Sequence, residues 1–437
     1  MKRVLSKNAP KFLGKKIKVC GWVNSRRDHG KIVFLDLRDK TGILQVVSEA
    51  NLVEGLRDEY VLEVEGEIKK RPEKMINPEL ETGKVELEAE KIKVLSKAAK
   101  LPFDLQKLNC ALPKVLDYRP ITLRNRKIQA IFKVQEEIIS SFREALKNLD
   151  FTEFQAPAIV PSATEGGAEV FQIDYFQNKA YLAQSPQLYK QILVAVFEKV
   201  FTVTKAYRAE PSITTRHLTE YISLDAEMGF IESWEDLMDV CELTIKRIFS
   251  NVEKNCQKEL KIHNASVPKI EKKIPRLKMR EAQEIIFQRT QRDHREEMDL
   301  DPEDEKEICQ FAKEKYNSDL IFITHYPTKK RPFYTHPDPE DPNYTLSFDL
   351  LFRGLEIVTG GQRIHQYKKL VENIKKWGNK PEDFEFYLQA FKYGMPPEGG
   401  FCLGAERITK QLLGLENIRE ASLFPRDMSR IDKRITK

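Results

Sequence analysis

Several side chains between residues 200 and 230 have the types and spacing needed to bind a phosphate chain. Arg208 and Glu210 fall at the end of a predicted strand, and Arg216 and His217 lie in the polar loop that follows. A guanidinium donates its hydrogen bonds in a planar fork that suits phosphate oxygens. The pattern favours a nucleoside triphosphate as the ligand, although a solvated hairpin with surface ion pairs would have the same composition.

The strand predicted after this loop, over residues 220–230, carries polar groups on one face. Side chains alternate along a strand, so Tyr221, Asp225 and Glu227 share a face. An aromatic ring and two carboxylates on one face of a sheet are costly for packing alone. This face is therefore predicted to meet a ligand.

A helix start just upstream supplies a further anion-binding position. Within Gln184-Ser-Pro-Gln-Leu-Tyr-Lys190, Ser185 is predicted to cap the helix and Pro186 to occupy its first position. Gln187 and Lys190 then lie near a helix N-terminus, where the backbone dipoles favour an anionic substrate group.

Two carboxylates in the C-terminal quarter of the chain could bind a metal ion. Asp349 and Glu356 are seven residues apart, so a straight strand would place them on opposite faces, and they can converge only if Gly354 marks a turn or a bulge. Converging carboxylates beside a polyphosphate would bind Mg²⁺, a hard cation that takes one or two carboxylates together with phosphate oxygens. Taken singly, each carboxylate is expected to be solvated or ion-paired.

Two glycine-rich segments could also contact a ligand. Residues 399–413 read as a glycine-rich strand running into a helix with Arg407 in its first turn, and backbone N–H groups with a guanidinium make an anion site. Over residues 164–169, two glycines would let an acidic loop that includes Glu165 close over a ligand. A glycine-rich turn alone is a weak signal, and its weight here comes from the other segments.

The composition indicates a globular protein of two domains. A chain of 437 residues exceeds what one hydrophobic core usually serves. The six cysteines lack paired spacing, which argues against a disulfide framework and a zinc site. The apolar runs are too short to span a bilayer, so we expect a cytoplasmic protein without membrane contact.

The excess positive charge lies in the N-terminal quarter. The first 100 residues contain 22 Lys and Arg against 16 Asp and Glu, and the remaining chain contains 51 of each. Five β-type segments within residues 16–95 suit a small closed barrel, and the OB-fold is such a barrel that binds single-stranded nucleic acid. Charge alone would also serve solubility, but barrel and charge together predict a nucleic-acid-binding domain.

Within this barrel, Arg26 precedes Phe34 on the next strand, and Gln45 could read a base edge. Periodicity leaves open whether Phe34 stacks on a base or belongs to the core. After the barrel, residues 96–125 lose their period, and their prolines are expected to prevent helices. A helix is predicted over residues 126–149, where apolar residues recur at helical spacing, and residues 260–317 read as charged helical filler without assignable chemistry.

Taken together, these segments resemble a known family. The segment ending at Pro157, the Tyr207-Arg-Ala-Glu210 hairpin and the Gly404-Ala-Glu-Arg407 strand and helix are similar to motifs 1, 2 and 3 of class II aminoacyl-tRNA synthetases. An N-terminal OB-fold narrows the resemblance to the subgroup for aspartate, asparagine and lysine. The segment around Lys190 together with Gly360-Gly-Gln-Arg-Ile-His365 is similar to the aspartyl enzymes, and the resemblance covers nearly the whole chain.

The resemblance implies an α+β fold in three parts. It implies a five-stranded OB-fold barrel for the tRNA anticodon over residues 1–98, a linker over 99–125, and a catalytic domain over 126–437, built on an antiparallel sheet flanked by helices. It also implies a homodimeric, ATP-dependent ligase that joins L-aspartate to tRNA(Asp). In that reaction the aspartate α-carboxylate attacks the ATP α-phosphate, and the aspartyl group then passes to the tRNA 3′-end.

The resemblance also implies roles for individual residues. For ATP it implies catalytic arginines Arg208 and Arg407, with Glu210 on the adenine amino group, Tyr221 stacked on adenine, Arg216 and His217 toward the phosphates, and Mg²⁺ held by Asp349 and Glu356. For aspartate it implies Lys190 and Arg363 on the side-chain carboxylate, Asp225 on the α-amino group, and Glu165, Gln187 and Thr359 completing the pocket. For the anticodon it implies stacking by Phe34 and base reading by Gln45, assisted by Asn24 and Arg26.

The sequence leaves alternatives open mainly for the identity of the amino-acid substrate. Two cations against one carboxylate would select aspartate over asparagine, since a neutral amide would leave charge unpaired at a cost on the order of several kcal/mol. An asparaginyl enzyme is the nearest alternative, and Lys190 argues against it. A non-catalytic RNA-binding paralogue would be expected to lack a motif arginine or a metal carboxylate, and both kinds of residue are present.

The barrel resembles the bacterial version, whereas the short spacing between motifs 2 and 3 is archaeal or eukaryotic in style. This mixture leaves tRNA(Asn) open as a second substrate.

Overall fold

The computed structural model describes residues 1–162, 170–211 and 213–433. These residues form two compact units, Met1–Lys107 and Leu108–Lys437, so the boundary lies inside the segment predicted as a linker. Among the described helices, none combines the length and the apolar character needed to cross a bilayer.

The first unit is a closed five-stranded barrel, as predicted. Its strands are β1 (Lys16–His29), β2 (Ile32–Asp39), β3 (Gly42–Glu49), β4 (Val61–Lys70) and β5 (Val85–Ser96), in the order β1-β2-β3-β5-β4. Alternate residues of β2, Val33, Leu35 and Leu37, are buried in the barrel core. Phe34 lies between them on the outer face and is half-buried, which decides its position against the core alternative.

The second unit contains the remaining helices and strands. Its helices are α1 (Leu112–Asp117), α2 (Arg119–Thr122), α3 (Arg126–Asn148), α4 (Gln187–Phe197), α5 (Glu235–Asn255), α6 (Gln257–Ile262), α7 (Met279–Thr290), α8 (Pro302–Tyr316), α9 (Tyr367–Lys376), α10 (Glu385–Lys392) and α11 (Ala405–Leu413). Its strands are β6 (Thr152–Glu153), β7 (Ile159–Val160), β8 (Gln172–Tyr175), β9 (Asn178–Leu182), β10 (Lys199–Tyr207), β11 (Glu220–Gly229), β12 (Arg276–Lys278), β13 (Leu320–Thr324), β14 (Ser347–Phe352), β15 (Leu355–Gln362) and β16 (Glu398–Gly404).

An eight-stranded sheet organises this unit, in the order β12-β13-β14-β15-β16-β11-β10-β6. Its pairs are antiparallel except at the two edges, where β6 runs parallel to β10 and β12 parallel to β13. Helices α3, α5 and α11 pack on one face in a continuous apolar core. The α+β architecture expected from the sequence is therefore confirmed, with parallel edge pairs added to the antiparallel sheet.

The alternation of β11 separates this core from the opposite, polar face. Leu224 and Ala226 belong to the apolar core, whereas Asp225 and Glu227 point to the other face. Helix α4 covers that face and contributes Lys190 to it. The register of one strand thus places ionisable groups opposite the core.

Three details differ from the sequence predictions. Pro113 and Pro120 lie in the first turns of α1 and α2, where a missing N–H costs no helical hydrogen bond, so they do not prevent helices. Helix α4 begins one residue later than predicted, with Pro186 as its N-cap, and the Ser185 hydroxyl accepts the Gln187 N–H at 3.2 Å. The stretch 260–317 contains a sheet strand, β12, as well as helices.

Candidate active site

A cleft in the second unit lies where β10, β11, β15, β16 and α11 meet. It encloses about 680 Å³, including space open to solvent. Its lining includes every residue assigned to ATP from the sequence, namely Arg208, Glu210, Arg216, His217, Tyr221, Glu356 and Arg407. The structure therefore brings side chains from three distant sequence segments into one cleft.

Arg208 and Tyr221 are residues of the β10–β11 hairpin that line this cleft. The register pairs Ala206 with Tyr221, and the Arg208 N–H donates to the Thr219 carbonyl at 2.9 Å, which continues the ladder past the end of β10. The Arg208 guanidinium lies 5.7 Å from the centre of the Tyr221 ring. A cation and an aromatic face therefore stand side by side, as a phosphate bound next to a stacked base requires.

The loop after Arg208 is held in place from outside the hairpin. The Thr214 hydroxyl accepts the His217 N–H at 3.1 Å, and the Thr214 carbonyl accepts a hydrogen bond from Arg419 at 2.9 Å. Arg216 forms an ion pair with Glu305 of α8. Burial, and then Arg407, lower the pKa of His217, so this ring is neutral near pH 7. The cationic character of the cleft therefore comes from its arginines.

Arg407 occupies the third position of α11 and faces β15. Its Nη1 donates to the Glu356 carbonyl at 3.0 Å and lies 3.2 Å from Glu356 Oε1. Although desolvation opposes ionisation, Arg407, Arg331 and Arg208 together lower the pKa of Glu356. Glu356 is thus ionised and surrounded by the cations that would meet a triphosphate.

Asp349 and Glu356 share one face of the sheet because of the turn between β14 and β15. Arg353 and Gly354 both have positive φ, at 47° and 84°, and make a two-residue turn that pairs Leu351 with Glu356. Asp349 lies two residues before Leu351 and so points the same way. A bulge at the next step pairs Asp349 with Thr359. The sequence expectation of a turn or bulge at Gly354 is met by a turn there, with the bulge beyond it.

The surroundings of Asp349 fit a bound cation. Asp349 Oδ2 lies 2.8 Å from Arg331 Nη2, whereas Asp349 Oδ1 is buried without a hydrogen bond of acceptable geometry among the described residues. Burial raises the pKa of Asp349 to about 6, opposed by Arg331 and assisted by the nearby Glu356 carboxylate. A cation beside these two carboxylates would coordinate Asp349 Oδ1 and relieve the repulsion between the two carboxylates.

A second, smaller polar site lies beside the cleft, under α4. Lys190 Nζ lies 3.1 Å from Asp225 Oδ1 and 2.9 Å from Glu227 Oε2. Arg363 Nε lies 2.8 Å from Glu227 Oε1. Lys190 and Arg363 are the pair assigned to a substrate carboxylate. In the described structure, both are ion-paired with the Glu227 carboxylate.

A layer of amides and carboxyls supports this pocket. The Gln187 amide donates to Gln191 Oε1 at 3.0 Å, and the Gln191 amide donates to Glu398 Oε1 at 2.7 Å. Gln187 therefore lies behind the pocket floor. Thr359 lines the larger cleft, and its hydroxyl accepts a hydrogen bond from Arg331 Nη1 at 3.1 Å. Glu165 lies outside the described residues.

Four site residues escaped the sequence reasoning or received no role from it. Glu305 pairs with Arg216, yet it comes from the stretch 260–317, predicted as charged helical filler. Arg331 pairs with Asp349 and comes from a segment to which the sequence assigned no role. Glu227 adds a carboxylate of the protein itself beside the two cations that were set against the substrate carboxylate, and Glu398 lies behind it, bonded to Gln191. The position of Glu227 on the face of Asp225 was the one available signal. Burial raises the pKa of Glu305 to about 7, opposed by Arg216 and assisted by Glu356.

In the first unit, the residues assigned to the anticodon lie on or beside the outer face of the barrel. Arg26 donates to the Val53 and Leu56 carbonyls at 2.8 and 3.0 Å, so it fixes a loop. Asn24 Oδ1 accepts a hydrogen bond from Arg38 at 2.9 Å, and the Gln45 side-chain amide donates to Glu86 at 2.9 Å. Phe34 pairs across the sheet with Arg27, whose guanidinium reaches Gln45 at 3.3 Å. An aromatic ring beside a cation is therefore available on this face.

Comparisons with known proteins agree with this arrangement. Residues 112–428 match the family described as tRNA synthetases class II (D, K and N), and residues 17–95 match the OB-fold nucleic acid binding domain. The chain is 43% identical to an aspartate–tRNA(Asp/Asn) ligase of Deinococcus radiodurans, with 99% of each protein covered. It is 42% identical to the aspartate–tRNA(Asp) ligase of Pyrococcus abyssi, with 96% of each covered.

Among solved structures, the fold is similar to that of asparaginyl-tRNA synthetase from Pyrococcus horikoshii complexed with asparaginyl-adenylate. The TM-score is 0.90 at 32% identity, and 99% of each chain is covered. The relatives and this solved structure therefore match nearly the whole chain. On this evidence, the chain belongs to the class II aminoacyl-tRNA synthetases of the aspartate, lysine and asparagine group.

Proposed function

We propose that the protein is an aspartate–tRNA ligase, which activates L-aspartate with ATP and transfers it to the 3′-end of tRNA(Asp). The observation that carries this proposal is the buried pair Lys190 and Arg363, which already holds a carboxylate, that of Glu227. Class II aminoacyl-tRNA synthetases use ATP, an amino acid and tRNA as substrates, together with a divalent metal. Because the product feeds translation, we place the enzyme in the cytoplasm.

In this proposal, the cleft positions ATP for attack by the aspartate α-carboxylate. Tyr221 stacks on adenine, Glu210 accepts from its amino group, and Arg208 binds the α-phosphate, where negative charge grows in the transition state. Arg407, with Arg216 and His217, binds the far end of the triphosphate. These groups act by position and charge, since the reaction needs no covalent enzyme intermediate.

Asp349 and Glu356 would hold Mg²⁺, because the orphaned Asp349 Oδ1 and the shared face of the two carboxylates suit a hard cation. When bound, the ion would neutralise phosphate charge beside the reacting phosphorus. Arg331 would keep Asp349 oriented through its contact at 2.8 Å.

For aspartate, we assign Lys190 and Arg363 to the side-chain carboxylate and Asp225 to the α-amino group. Glu227 is paired with both cations in the described structure. The substrate carboxylate must therefore either share the two cations with Glu227 or displace Glu227 from them. Gln187 and Thr359 border the pocket, and we assign Glu165 to the same substrate on the basis of the family resemblance.

Pyrophosphate exchange into ATP tests this function directly. The purified protein is expected to catalyse exchange with L-aspartate and not with L-asparagine, and then to charge tRNA(Asp) transcripts. Preference for asparagine would overturn the assignment in favour of an asparaginyl enzyme. Charging of tRNA(Asn) with aspartate at a similar rate would identify a non-discriminating enzyme, as in the relatives named for both tRNAs.

We propose that the barrel binds the anticodon through Phe34. The substitution Phe34→Ala is expected to raise the KM for tRNA(Asp) about tenfold or more, since a stacked base contributes about 1–3 kcal/mol. Exchange of pyrophosphate, which needs no tRNA, should stay unchanged. Ile32→Ala, at an exposed position of the same strand, is the control, and equal effects of both substitutions would refute stacking.

We also propose a homodimer. The exposed apolar side chains of the second unit include Val196, exposed by 63%, Phe197 by 47% and Phe230 by 66%. A backbone hydrogen bond from the Gly229 N–H to the Glu198 carbonyl holds their two segments next to each other. An apolar patch of this kind suits contact with a second copy. Sedimentation equilibrium is expected to give twice the chain mass of 50.9 kDa, and a monomer at micromolar concentration would contradict the proposal.

A further inference from the structure

Glu398 is a fully buried carboxyl group to which the reaction assigns no task. Strands β11 and β16 pair Glu227 with Gly400 and Gly229 with Glu398, so the two glutamates lie diagonally on one face. Gly400 makes room between them, because a Cβ there would lie 2.0 Å from Glu227 Oε2. Both glutamates have an exposed fraction of 0%.

The two carboxyl groups have unequal partners. Glu227 lies between Lys190, at 2.9 Å, and Arg363, at 2.8 Å. The Glu398 carboxyl group instead accepts a hydrogen bond from the neutral Gln191 amide at 2.7 Å. Among the described residues, Glu227 Oε2 and Glu398 Oε2 both lack a hydrogen bond of acceptable geometry, and the two side chains are within hydrogen-bonding reach of each other. Two unprotonated oxygens would repel, whereas one proton would satisfy both.

The balance of charges around the pocket also favours a proton on one of these carboxyl groups. Two cations, Lys190 and Arg363, face three carboxyls, those of Asp225, Glu227 and Glu398. A third ionised carboxylate without a cation of its own is costly in a buried site. We propose that Glu398 carries a proton at neutral pH and donates it to Glu227 Oε2, so that a neutral acid sets the charge of the aspartate pocket. This inference rests on the proposed aspartate specificity.

The proton belongs on Glu398 and not on Glu227. Burial, and then the Glu227 charge, raise the pKa of Glu398 well above its usual value, opposed by Arg363 and Gln191. Burial also opposes ionisation of Glu227, but Arg363 and Lys190 outweigh it and lower the pKa of that carboxyl. The Tyr387 phenol also lies near Glu398; it donates to Gln191 Oε1 at 3.2 Å and stays neutral because burial raises its pKa.

A neutral Glu398 gives the pocket two positive and two negative charges before the substrate arrives. The side-chain carboxylate of aspartate is the third negative charge that Lys190 and Arg363 must accommodate. If pH rises through the pKa of Glu398, its proton leaves for solvent and a fourth negative charge appears. Aspartate affinity is therefore expected to fall on the alkaline side, without a loss of the pocket geometry.

The isosteric substitution Glu398→Gln tests the proton. Its amide can donate to Glu227 and accept from Gln191, as the protonated acid does, so the KM for aspartate in pyrophosphate exchange should stay within about threefold of wild type at pH 7. An alkaline rise of KM, about tenfold per pH unit for one titrating group, should occur in wild type and vanish in the variant. A tenfold higher KM in the variant at pH 7, or the same alkaline rise in both proteins, would overturn the proposal.

A spectroscopic readout does not depend on the reaction. The infrared difference between wild type and Glu398→Gln at pH 7 should contain the carbonyl stretch of a protonated carboxylic acid. The control is Glu242→Gln, a buried glutamate of α5 that is ion-paired with Lys246 at 2.7 Å and should give no such band. A wild-type spectrum without the Glu398 band would refute the proton. If aspartate-dependent exchange is absent in wild type, the proposed function fails, and the infrared result still decides the proton.

Discussion

Replacing Arg208 with alanine is expected to lower aspartate-dependent pyrophosphate exchange by about three orders of magnitude. Charged donors aimed at a transferring phosphoryl group contribute effects of this size or larger. The Arg208 guanidinium lies 5.7 Å from the centre of the Tyr221 ring, next to the positions proposed for the base and the first phosphate. Its loss removes charge stabilisation where the bond to pyrophosphate breaks.

The structure predicts that this loss is local. The hydrogen bond from the Arg208 backbone to Thr219 does not depend on the side chain, so the hairpin should keep its register. Binding of tRNA(Asp), measured by filter retention, should remain within about threefold of wild type. Arg208→Lys is expected to recover part of the exchange, since it restores charge without the fork.

A surface arginine provides the matched control for Arg208. Arg143 of α3 pairs with Glu153 at 2.9 Å and is 38% exposed, so Arg143→Ala should leave exchange unchanged. Full exchange activity in Arg208→Ala would refute its assigned role. A parallel loss of tRNA binding and thermal stability would instead point to a structural role.

Replacing Lys190 with glutamine is expected to remove aspartate activation and to destabilise the protein. Lys190 is 1% exposed and is shared by Asp225 and Glu227, so its loss leaves two buried carboxylates facing each other. Breaking a buried ion pair from one side typically costs about 3–5 kcal/mol. Burial alone would lower the pKa of Lys190, but Glu227 and Asp225 outweigh it and raise that pKa, so the charge persists throughout the neutral range.

A double substitution separates the two effects. In Lys190→Gln with Glu227→Gln, one cation and one anion are removed together, so much of the stability measured by urea unfolding should return. Exchange with aspartate should stay at least about a hundredfold below wild type, because one of the two cations for the substrate carboxylate is still missing. Recovery of exchange along with stability would show that Lys190 acts only through Glu227 and does not meet the substrate.

The amino-acid pocket also explains why charge balance matters more than the number of cations. Arg363 and Lys190 are both engaged by Glu227, and Asp225 adds a further negative charge. Under the proposed function, the substrate carboxylate would compete with the internal carboxylate of Glu227 for these two cations.

Local patterns in the sequence determined the elements and most of the cleft. Alternation along single strands located the barrel and placed Asp225 and Glu227 on one face, and the apolar spacing of residues 126–149 predicted α3, observed as Arg126–Asn148. The Asn125 side chain caps that helix by accepting from Lys127 and Ile128. Such features depend on neighbouring residues, so a sequence read in order contains them.

Only the tertiary structure decided how distant groups meet. Glu305 pairs with Arg216, which is 89 residues away in the sequence. Asp349 and Thr359 are neighbours across β14 and β15, and Arg331 donates hydrogen bonds to both side chains. Glu227 and Glu398 become neighbours through the β11 and β16 register, which no local pattern specifies. Strand register and helix docking are set by the packing of the whole core, and ionisation follows from the resulting burial. The sequence alone therefore determined which groups could bind ATP and aspartate, and the fold decided which of them are charged, paired and within reach.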